Sequence, residues 1–331
     1  MAKKKQEVSP VGLQETLDKL NEKFGVNTVI TLDQRFDKPV DVISTGSIGF
    51  DYGCLGIGGF AKGRLYELRG WEGSGKTTIC GTAAAECQKK GGVVAYIDGE
   101  HALDVEYFRA LGVDTSKMLI SQPDNGEQGF ETAQLLIQSQ GIDLLIIDSD
   151  SSLIPLIVMQ NDYGSANIGK KAKLNSDAYP KIKNALSDND VCVLVVSQYR
   201  EKIGVMFGDP RTTQGGKALG YWADTIIDVS KSLKKEGDET SGNITKVKTI
   251  KNKTFSPYKM ITFDVLFGEG VDKIGEIIEL ANDHEIIKKW GKSITYKETK
   301  YEITEFEALL RDNDEFFEEI KQQVIQLIKN Q

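Results

Sequence analysis

The chain has 331 residues, of which 40% are hydrophobic, and 49 acidic side chains against 41 Lys and Arg give a net charge of −8. This length and apolar content suffice for a full core and are typical of two or three domains. No apolar run reaches about 18 residues, and the Met-Ala-Lys-Lys-Lys start lacks the apolar segment of a signal peptide. We therefore expect a cytoplasmic protein with no membrane partner.

Charge is distributed unevenly along the chain. Residues 160–217 carry 9 basic and 6 acidic side chains, whereas residues 270–331 carry 9 basic and 14 acidic ones. The net negative charge alone argues weakly against a protein that coats nucleic acid. The basic middle segment nevertheless supplies a separate surface for phosphates. Four cysteines without C-x-x-C spacing fit reduced thiols.

The first 30 residues predict a small arm. Leu13, Leu17 and Leu20 form an apolar stripe on a predicted helix over residues 9–24, and a short strand is predicted at residues 28–30. A lone helix and strand cannot build a core, so the arm must dock on another surface. The periodicity leaves open whether that surface belongs to its own chain or to a neighbouring subunit.

A glycine loop that fits G-x-x-x-x-G-K-[ST] organises the rest of the chain. Residues 64–68 before the loop alternate like a half-buried strand, and the alanine-rich residues 78–87 after it favour a helix. Backbone N–H groups in such a loop can surround a nucleotide's phosphates, Lys76 can reach the β and γ oxygens, and Thr77 can hold Mg²⁺. The predicted cradle comprises Gly70, Trp71, Glu72, Gly73, Ser74, Gly75, Lys76, Thr77 and Thr78.

Buried strands alternate with helices after the cradle. The three further strands are predicted at residues 93–98, 142–148 and 191–196, and a helix at residues 129–140. This alternation predicts an α/β fold, with a mostly parallel sheet that carries helices on both faces. Ligands bind beyond the carboxyl ends of such strands, so polar residues at those ends are candidates for the chemistry.

Each predicted strand end carries such a residue. Glu100 and Asp104 follow the first strand as candidates for a base or metal ligand, whereas a helix-cap role is plausible for Asp104 and less so for Glu100. Asp148 ends the second strand, where it could support Mg²⁺ opposite Thr77. Gln198 follows the third strand and could sense a γ-phosphate by a hydrogen bond, although the pattern fits a surface glutamine equally well.

Two glycine-rich, polar gaps interrupt the alternation of strands and helices, at residues 159–170 and 199–216. Loops of this length inside a compact domain are usually functional or mobile. Polyphosphate contacts are expected there, although a solvated charged face explains the residues equally well. The basic residues in or beside the gaps are Lys170, Lys171, Lys173, Arg200, Lys202, Arg211 and Lys217.

The remaining sequence predicts an antiparallel extension and a small acidic unit. Strands are expected at residues 225–229, 245–250 and 260–265, with a charged turn at residues 231–243. After a glycine boundary at residues 268–270, helices at 271–290 and 304–329 flank a short hairpin at 293–296. The expected divisions are an arm (1–37), an ATPase core (38–270) and a small α+β domain (271–331).

Nine short sequence blocks between residues 42 and 270 occur in the order that is typical of the RecA family of bacterial recombinases. The chain resembles a divergent or phage-borne member of that family. The resemblance implies a RecA-like P-loop core and a DNA-dependent ATPase that forms helical filaments on single-stranded DNA. It also implies homologous pairing and strand exchange with double-stranded DNA. The blocks are residues 44–47 (STGS), 70–77 (the cradle), 97–104 (IDGEHALD), 121–124 (SQPD), 147–149 (IDS), 202–208 (KIGVMFG), 212–216 (TTQGG), 247–253 (VKTIKNK) and 266–270 (LFGEG).

The resemblance also implies roles for single residues. Glu100 would polarise the attacking water, and Gln198 would report the γ-phosphate to the second gap. Lys251 and Lys253 would reach the ATP of the adjacent protomer, with Lys76 completing the catalytic set. Asp104 and Tyr107 would line the adenine site, and Thr77 and Asp148 would hold Mg²⁺. The DNA-facing residues would be Asn167, Ile168, Gly169, Lys173, Arg200, Ile203, Gly204, Val205, Met206, Phe207, Arg211, Thr212, Gly215 and Gly216.

The chain departs from the family pattern in the two gaps. Lys173 stands where an arginine is usual, Arg211 stands where an acid is common, and the first gap is less acidic than in typical members. DNA affinity and its salt dependence are therefore expected to differ. Two other functions stay open: an ATP-gated sheath that coats DNA without strand exchange, and a helicase or clock-type motor built on the same core.

Overall fold

The computed structural model describes residues 10–25, 28–29, 40–162, 167, 169–201, 211–236 and 239–330. The chain divides into two compact units after Asp41, and each is described by itself. In the first unit, helix α1 spans Pro10–Phe24, as predicted. The strand predicted at residues 28–30 is wrong for Thr28 and Val29, which form a bend. Thr28 Oγ1 donates to Gly25 O at 2.6 Å, a local bond that turns the chain back toward the helix end.

The second unit is built on one large sheet whose central part is parallel, as predicted. Its strand order is β12-β11-β10-β9-β3-β7-β6-β4-β5, with β8 paired to β7. A separate two-stranded sheet pairs β1 with β2. The strands are β1 (Val42–Ile43), β2 (Phe60–Ala61), β3 (Leu65–Gly70), β4 (Val94–Asp98), β5 (Leu119–Ser121), β6 (Leu144–Asp148), β7 (Cys192–Glu201), β8 (Arg211–Thr213), β9 (Thr225–Glu236), β10 (Glu239–Asn252), β11 (Met260–Leu266) and β12 (Gly270–Val271).

Helices cover both faces of the parallel part. Ile146 belongs to one apolar cluster and its neighbour Ile147 to another, because successive side chains of a strand point to opposite faces. The two clusters explain why these strands are apolar along their whole length. The helices of this unit before β9 are α2 (Lys76–Lys89), α3 (Val105–Ala110), α4 (Gly126–Gln138), α5 (Leu156–Gln160), α6 (Lys170–Ala185) and α7 (Ala218–Trp222), and a π-helical turn spans Gly49–Cys54.

The predicted charged turn at residues 231–243 is wrong. Strand β9 continues to Glu236 and β10 begins at Glu239, so the two form a long antiparallel hairpin. Charged composition indicated a turn, but cross-strand pairing decides the structure of a half-exposed ribbon. The consequence is that Lys231 and Asn243 lie on strands of the main sheet.

The two gaps are shorter than predicted. Helix α5 reaches Gln160 and helix α6 begins at Lys170, while β7 continues to Glu201. Tyr199 pairs with Thr213, so Arg200, Arg211 and Thr212 lie on strands rather than in a loop. The predicted DNA-facing residues that lie outside the described part of the chain are Ile168, Ile203, Gly204, Val205, Met206 and Phe207.

Residues 271–330 add three helices and a three-stranded antiparallel sheet. The single helix predicted over 271–290 is wrong, because it ends at Asp283 and residues 288–290 form a strand. The helix predicted over 304–329 is two helices, divided where Asn313 accepts from Phe316 N and caps the second one. The elements are α8 (Lys273–Asp283), β13 (Lys288–Trp290), β14 (Ser293–Tyr296), β15 (Thr299–Glu302), α9 (Ile303–Asp312) and α10 (Asp314–Lys329).

A buried carboxylate ties this C-terminal segment to the π-helical turn. Glu276 on α8 accepts hydrogen bonds from Ser47 Oγ, from Ile48 N at 2.9 Å and from Gly49 N at 3.1 Å. Burial raises the pKa of Glu276, against the lowering effect of these bonds. Asp51, in the same turn, has its pKa raised by burial to about 7. Two buried carboxyl groups with raised pKa values therefore lie at this junction.

Candidate nucleotide site

The cradle loop leaves the end of β3 and enters α2, as the glycine pattern predicts. Gly70 must be glycine, because a Cβ there would lie 2.3 Å from Val229 O. Gly75 has φ of 94°, a left-handed conformation that glycine adopts without strain. The loop therefore leads directly to the N-terminal turn of α2, where the unpaired N–H groups and the helix dipole favour anions.

Lys76 folds back over the loop. Its side-chain nitrogen donates to Trp71 O at 2.7 Å and to Gly70 O at 3.1 Å. Burial lowers the pKa of Lys76, and the carboxylates of Asp148 and Glu100 oppose that shift. The ammonium thus rests on carbonyl oxygens at the position where the phosphates of a nucleotide would approach.

Thr77 and Asp148 meet at the wall of a cavity beside the cradle loop. Thr77 Oγ1 donates to Asp148 Oδ2 at 2.6 Å, and Tyr96 OH donates to that oxygen at 2.9 Å. Burial raises the pKa of Asp148 although both hydrogen bonds lower it. A hydroxyl and a carboxylate are oxygen ligands that suit Mg²⁺, which normally takes one or two protein oxygens together with phosphate and water. The two residues therefore fit the ion.

Glu100 and Gln198 are brought together across the cavity. Glu100 Oε1 accepts from Ser149 Oγ at 2.6 Å and from Gln198 Nε2 at 2.8 Å. Gln198 Oε1 in turn accepts from Arg200 at 3.2 Å, which links the carboxylate to the end of β7. Sequence reasoning placed Glu100 and Gln198 at strand ends, and it missed Ser149 as the group that orients Glu100.

The two residues expected at the adenine site differ in position. Tyr107 lines the cavity, and its hydroxyl lies 2.7 Å from Thr78 Oγ1. Asp104 Oδ1 accepts from Tyr107 N at 3.0 Å and caps α3. The capping interpretation of Asp104 is therefore correct, and an Asp104 contact with adenine stays a prediction.

The cavity has a volume of about 390 Å³. Its far wall is formed by β9 to β11 and contributes residues that sequence reasoning did not assign: Lys231, Asn243 and Phe267. Asn243 Oδ1 is buried without a hydrogen-bond partner in the described part of the chain. The misplaced turn at residues 231–243 concealed the first two, whereas Phe267 lay inside one of the recognised blocks.

Lys251 and Lys253 lie at the other end of the sheet. Lys251 donates to Gly220 O at 3.1 Å and to Tyr221 O at 2.9 Å, the carbonyls of α7. Lys253 donates to Asp224 Oδ1 at 3.3 Å. Burial lowers the pKa of Lys251, and Lys253 adds to that effect. Sequence reasoning missed Asp224, which is 1% exposed.

Asp224 is the centre of a cation cluster beside the start of β3. It accepts from Leu65 N at 3.0 Å and also pairs with Lys183 and with Arg64, 3.5 Å away. Burial opposes its ionisation, but the ion pair with Lys183 and the bond from Leu65 hold the pKa of Asp224 below its usual value. Five strand steps from Leu65 to Gly70 put this cluster about 16 Å from the chain's own cradle.

The described DNA-facing candidates lie around α6 and the β7–β8 hairpin. Lys173 is exposed on the first turn of α6, and Gly169 caps that helix. Lys171, by contrast, is held internally by Leu153 O at 2.7 Å. Asn167 accepts from Asn161 at 2.7 Å. Gly215 O accepts from Asn175 at 3.2 Å, and Gly216 follows it.

A parallel sheet with this loop, a lysine and threonine opening α2, and an aspartate ending β6 define a P-loop ATPase core. A family model described as the RecA N-terminal domain matches residues 11–272. The chain is 44% identical to Protein RecA of Cytophaga hutchinsonii, over 96% of this chain and 90% of the relative. For Protein RecA of Porphyromonas gingivalis the identity is 41%, over 96% and 94%.

The chain therefore belongs to the RecA family. It is a DNA-dependent ATPase of recombination and DNA repair, and its partners are DNA and other copies of itself. The predicted family, fold and activity are confirmed. In the described ranges, none of the helices is both long and apolar enough to cross a lipid bilayer.

Proposed function

We propose that the protein polymerises on single-stranded DNA as a helical filament with ATP between protomers, and pairs that strand with a homologous duplex. The observation that carries this proposal is the separation of the two halves of the nucleotide machinery. The cradle follows the end of β3 at Gly70, whereas Lys251 is level with Glu67, three strand steps or about 10 Å earlier, and Lys253 contacts Asp224 beside Leu65, about 16 Å earlier. Neither lysine lines the chain's own nucleotide cavity, so both are placed to serve the cradle of another copy.

Within one protomer, Glu100 is the proposed group that orients the attacking water. Ser149 and Gln198 fix its carboxylate, so one oxygen stays in place to accept a proton as the water attacks the γ-phosphate. Gln198 contacts Glu100 through its amide nitrogen and Arg200 through its amide oxygen. Loss of the γ-phosphate near Glu100 would therefore alter the hydrogen bonds that Gln198 makes with Glu100 and Arg200 at the end of β7.

The phosphates would replace the internal partners of the cradle. Lys76 would exchange the carbonyls of Gly70 and Trp71 for β and γ oxygens. Thr77 and Asp148 would hold Mg²⁺, which when bound neutralises charge on those oxygens. Tyr107, Asn243 and Phe267 would line the space for the base and ribose.

Backbone contacts would hold the DNA without reading its sequence. Lys173 and Arg200 are exposed, and Arg211 is 41% exposed at its side chain. Charge contacts with phosphates leave base edges free, so base pairing with the second strand would supply specificity. The arm at residues 1–37 would dock on a neighbour, and residues 271–331 would form a small domain around an apolar cluster that also takes in Ile48.

The test is ATP hydrolysis measured with and without single-stranded DNA, at low and at moderate salt. The proposal predicts strong stimulation by DNA that weakens as salt rises. Hydrolysis that is indifferent to DNA would contradict the coupling of the cradle to the hairpin. A strand-exchange assay with a labelled duplex then separates a recombinase from a coating sheath, since a sheath would hydrolyse ATP without forming joint molecules.

A further inference from the structure

An aromatic contact joins the cradle loop to strand β7. Gly70 and Gln198 are in register on the parallel strands β3 and β7, so the next residues, Trp71 and Tyr199, leave the ladder side by side. Their ring centroids lie 5.8 Å apart at 58°. Trp71 is 43% exposed, whereas Tyr199 is 5% exposed and therefore fixed by its surroundings.

Tyr199 is held by an ionic cluster centred on Asp228. Its hydroxyl donates to Asp228 Oδ1 at 2.7 Å, and Arg69 Nε donates to the same oxygen at 2.6 Å. Burial and the hydrogen bond to Asp228 raise the pKa of the Tyr199 hydroxyl, which stays protonated as a donor. The Tyr199 ring is therefore held at its face by Trp71 and at its hydroxyl by Asp228.

The cluster continues into β8, the second strand of the DNA-facing hairpin. The Arg211 guanidinium lies 5.0 Å from the centroid of the Tyr199 ring and 3.8 Å from Asp228 Oδ2. Such cation–π contacts are worth about 0.5–2 kcal/mol. Arg211 is one of the chain's departures from the family pattern, and this contact gives it a role besides DNA binding.

At the other side, the backbone of Trp71 is tied to the phosphate lysine. Lys76 donates to Trp71 O at 2.7 Å, and under the proposed function it would leave this carbonyl for phosphate oxygens. Under that function the loop that bears Trp71 would have a second arrangement, without Lys76 on its carbonyl, besides the one that the structure shows. A coupling element needs two such states that both sites can bias.

We propose that the Trp71–Tyr199 contact couples the nucleotide cradle to the DNA-facing hairpin, with Tyr199 as the positioning residue. This route rests on the proposed function and runs beside the hydrogen bonds of Gln198. Release of the Trp71 carbonyl shifts the indole against the Tyr199 ring. Because Asp228 and Arg211 hold that ring, the shift changes the position of β8. By reciprocity, DNA on the hairpin favours the phosphate-bound loop by the same factor.

The test is the dissociation constant for single-stranded DNA, measured without nucleotide and with a non-hydrolysable ATP analogue. In the wild type the analogue tightens DNA binding by a coupling factor, for which about 5- to 150-fold is typical. Tyr199→Leu, which removes the ring, lowers that factor at least about threefold. DNA affinity without nucleotide and hydrolysis without DNA stay within about twofold of wild type, because Tyr199 does not line the nucleotide cavity and meets the DNA-facing hairpin through Arg211.

Tyr199→Phe is the matched control. It keeps the ring contacts with Trp71 and Arg211 and loses only the hydrogen bond to Asp228, so it retains most of the coupling factor. An unchanged factor in Tyr199→Leu overturns the inference, as does an equal loss of DNA affinity with and without nucleotide. A wild-type protein whose DNA affinity ignores nucleotide overturns the proposed function as well.

A double-mutant cycle covers the case in which Tyr199→Leu does not fold. Trp71→Leu removes the other ring, and thermal unfolding shows whether the variant is intact. If the contact carries coupling, Trp71→Leu lowers the coupling factor. When Tyr199→Phe is then added to Trp71→Leu, the further loss is smaller than the loss that Tyr199→Phe causes in the wild type. A full coupling factor in folded Trp71→Leu overturns the inference.

Discussion

The two ends of the central sheet differ in how their charged groups are held. At the cradle end, Lys76, Thr77, Asp148 and Glu100 line one cavity, where Thr77 donates to Asp148 and Glu100 accepts from Ser149 and Gln198. At the far end, Lys251 donates hydrogen bonds to carbonyls of α7 and does not line the cradle cavity. The charged groups of the cradle end line a cavity, whereas the lysines of the far end are held by carbonyl and carboxylate oxygens outside that cavity.

Under the proposed function, each protomer would carry two half-sites. Along the sheet, Asn243 and Lys231 face the cradle, whereas Lys251 pairs with Ile226 near the start of β9. A single antiparallel strand, β10, therefore contributes to both ends. A heterologous interface that brings the far end of one copy to the cradle of the next generates an open helical assembly when its rotation does not close into a ring, and this is the geometry of a filament.

The largest expected effect is at the cradle end. Glu100→Gln keeps an oxygen that can accept from Ser149 and Gln198 but cannot take a proton, so DNA-stimulated turnover should fall at least about a hundredfold. Nucleotide and DNA affinities should stay near wild type, as measured by titration. Normal turnover in this variant would remove Glu100 from the chemistry.

A second large effect is expected at the far end. Replacing both Lys251 and Lys253 by Met keeps the aliphatic stems and removes the charges, so turnover in the filament should fall at least about tenfold. The nucleotide affinity of the isolated protomer should not change, because neither residue lines its cavity. Loss of nucleotide affinity in the monomer would break the comparison, since it would mean that the lysines act in their own chain.

Asp224→Asn should have a smaller effect at the far end. The amide oxygen can still accept from Leu65 N, but Lys183, Arg64 and Lys253 lose their common carboxylate. We expect the free energy of unfolding to fall by about 1–3 kcal/mol, discounted for the part-exposed cations. Turnover should fall less than in the double-lysine variant. Urea unfolding and hydrolysis assays check the two, and unchanged stability would contradict the role of Asp224 as a hub.

The smallest effect on turnover is expected at Asp51, which belongs to neither end. Its pKa is raised from 3.8 to about 7 by burial, so the folded state binds more protons than the unfolded state between these values. Stability therefore falls as pH rises from about 4 to about 7. Asp51→Asn removes this contribution and should flatten the curve of unfolding midpoint against pH, with turnover unchanged. An identical pH dependence in both proteins would contradict the raised pKa.

The sequence predicted the cradle end better than the far end, for physical reasons. Gly70, Lys76 and Thr77 follow a spacing set by backbone wrapping of phosphates, and Asp148 and Glu100 sit where strands end. Asp224 has no comparable signal, because a buried carboxylate becomes a hub only when distant residues such as Lys183 and Leu65 fold around it. The Trp71–Tyr199 contact was hidden for the same reason, since it depends on the register of β3 against β7.

Secondary structure was predicted where apolar periodicity is strong and missed where pairing decides. Strands β4, β6 and β7 read as continuous apolar runs and fold where they were predicted, whereas the short, largely exposed strand β5 was missed. The hairpin of β9 and β10 is rich in lysine and serine, so composition indicated a turn at residues 231–243. Residues 288–290 continue a helical pattern in sequence, yet they pair with β14 as a strand.

The most direct test of the two half-sites is complementation between inactive variants. Glu100→Gln carries intact far-end lysines, and the Lys251→Met/Lys253→Met variant carries an intact cradle. In an equimolar mixture about a quarter of the interfaces join both intact halves, so DNA-stimulated hydrolysis should rise well above the sum of the two proteins alone. A mixture whose rate equals that sum would contradict the account, because it would mean that no cradle uses the lysines of a neighbour.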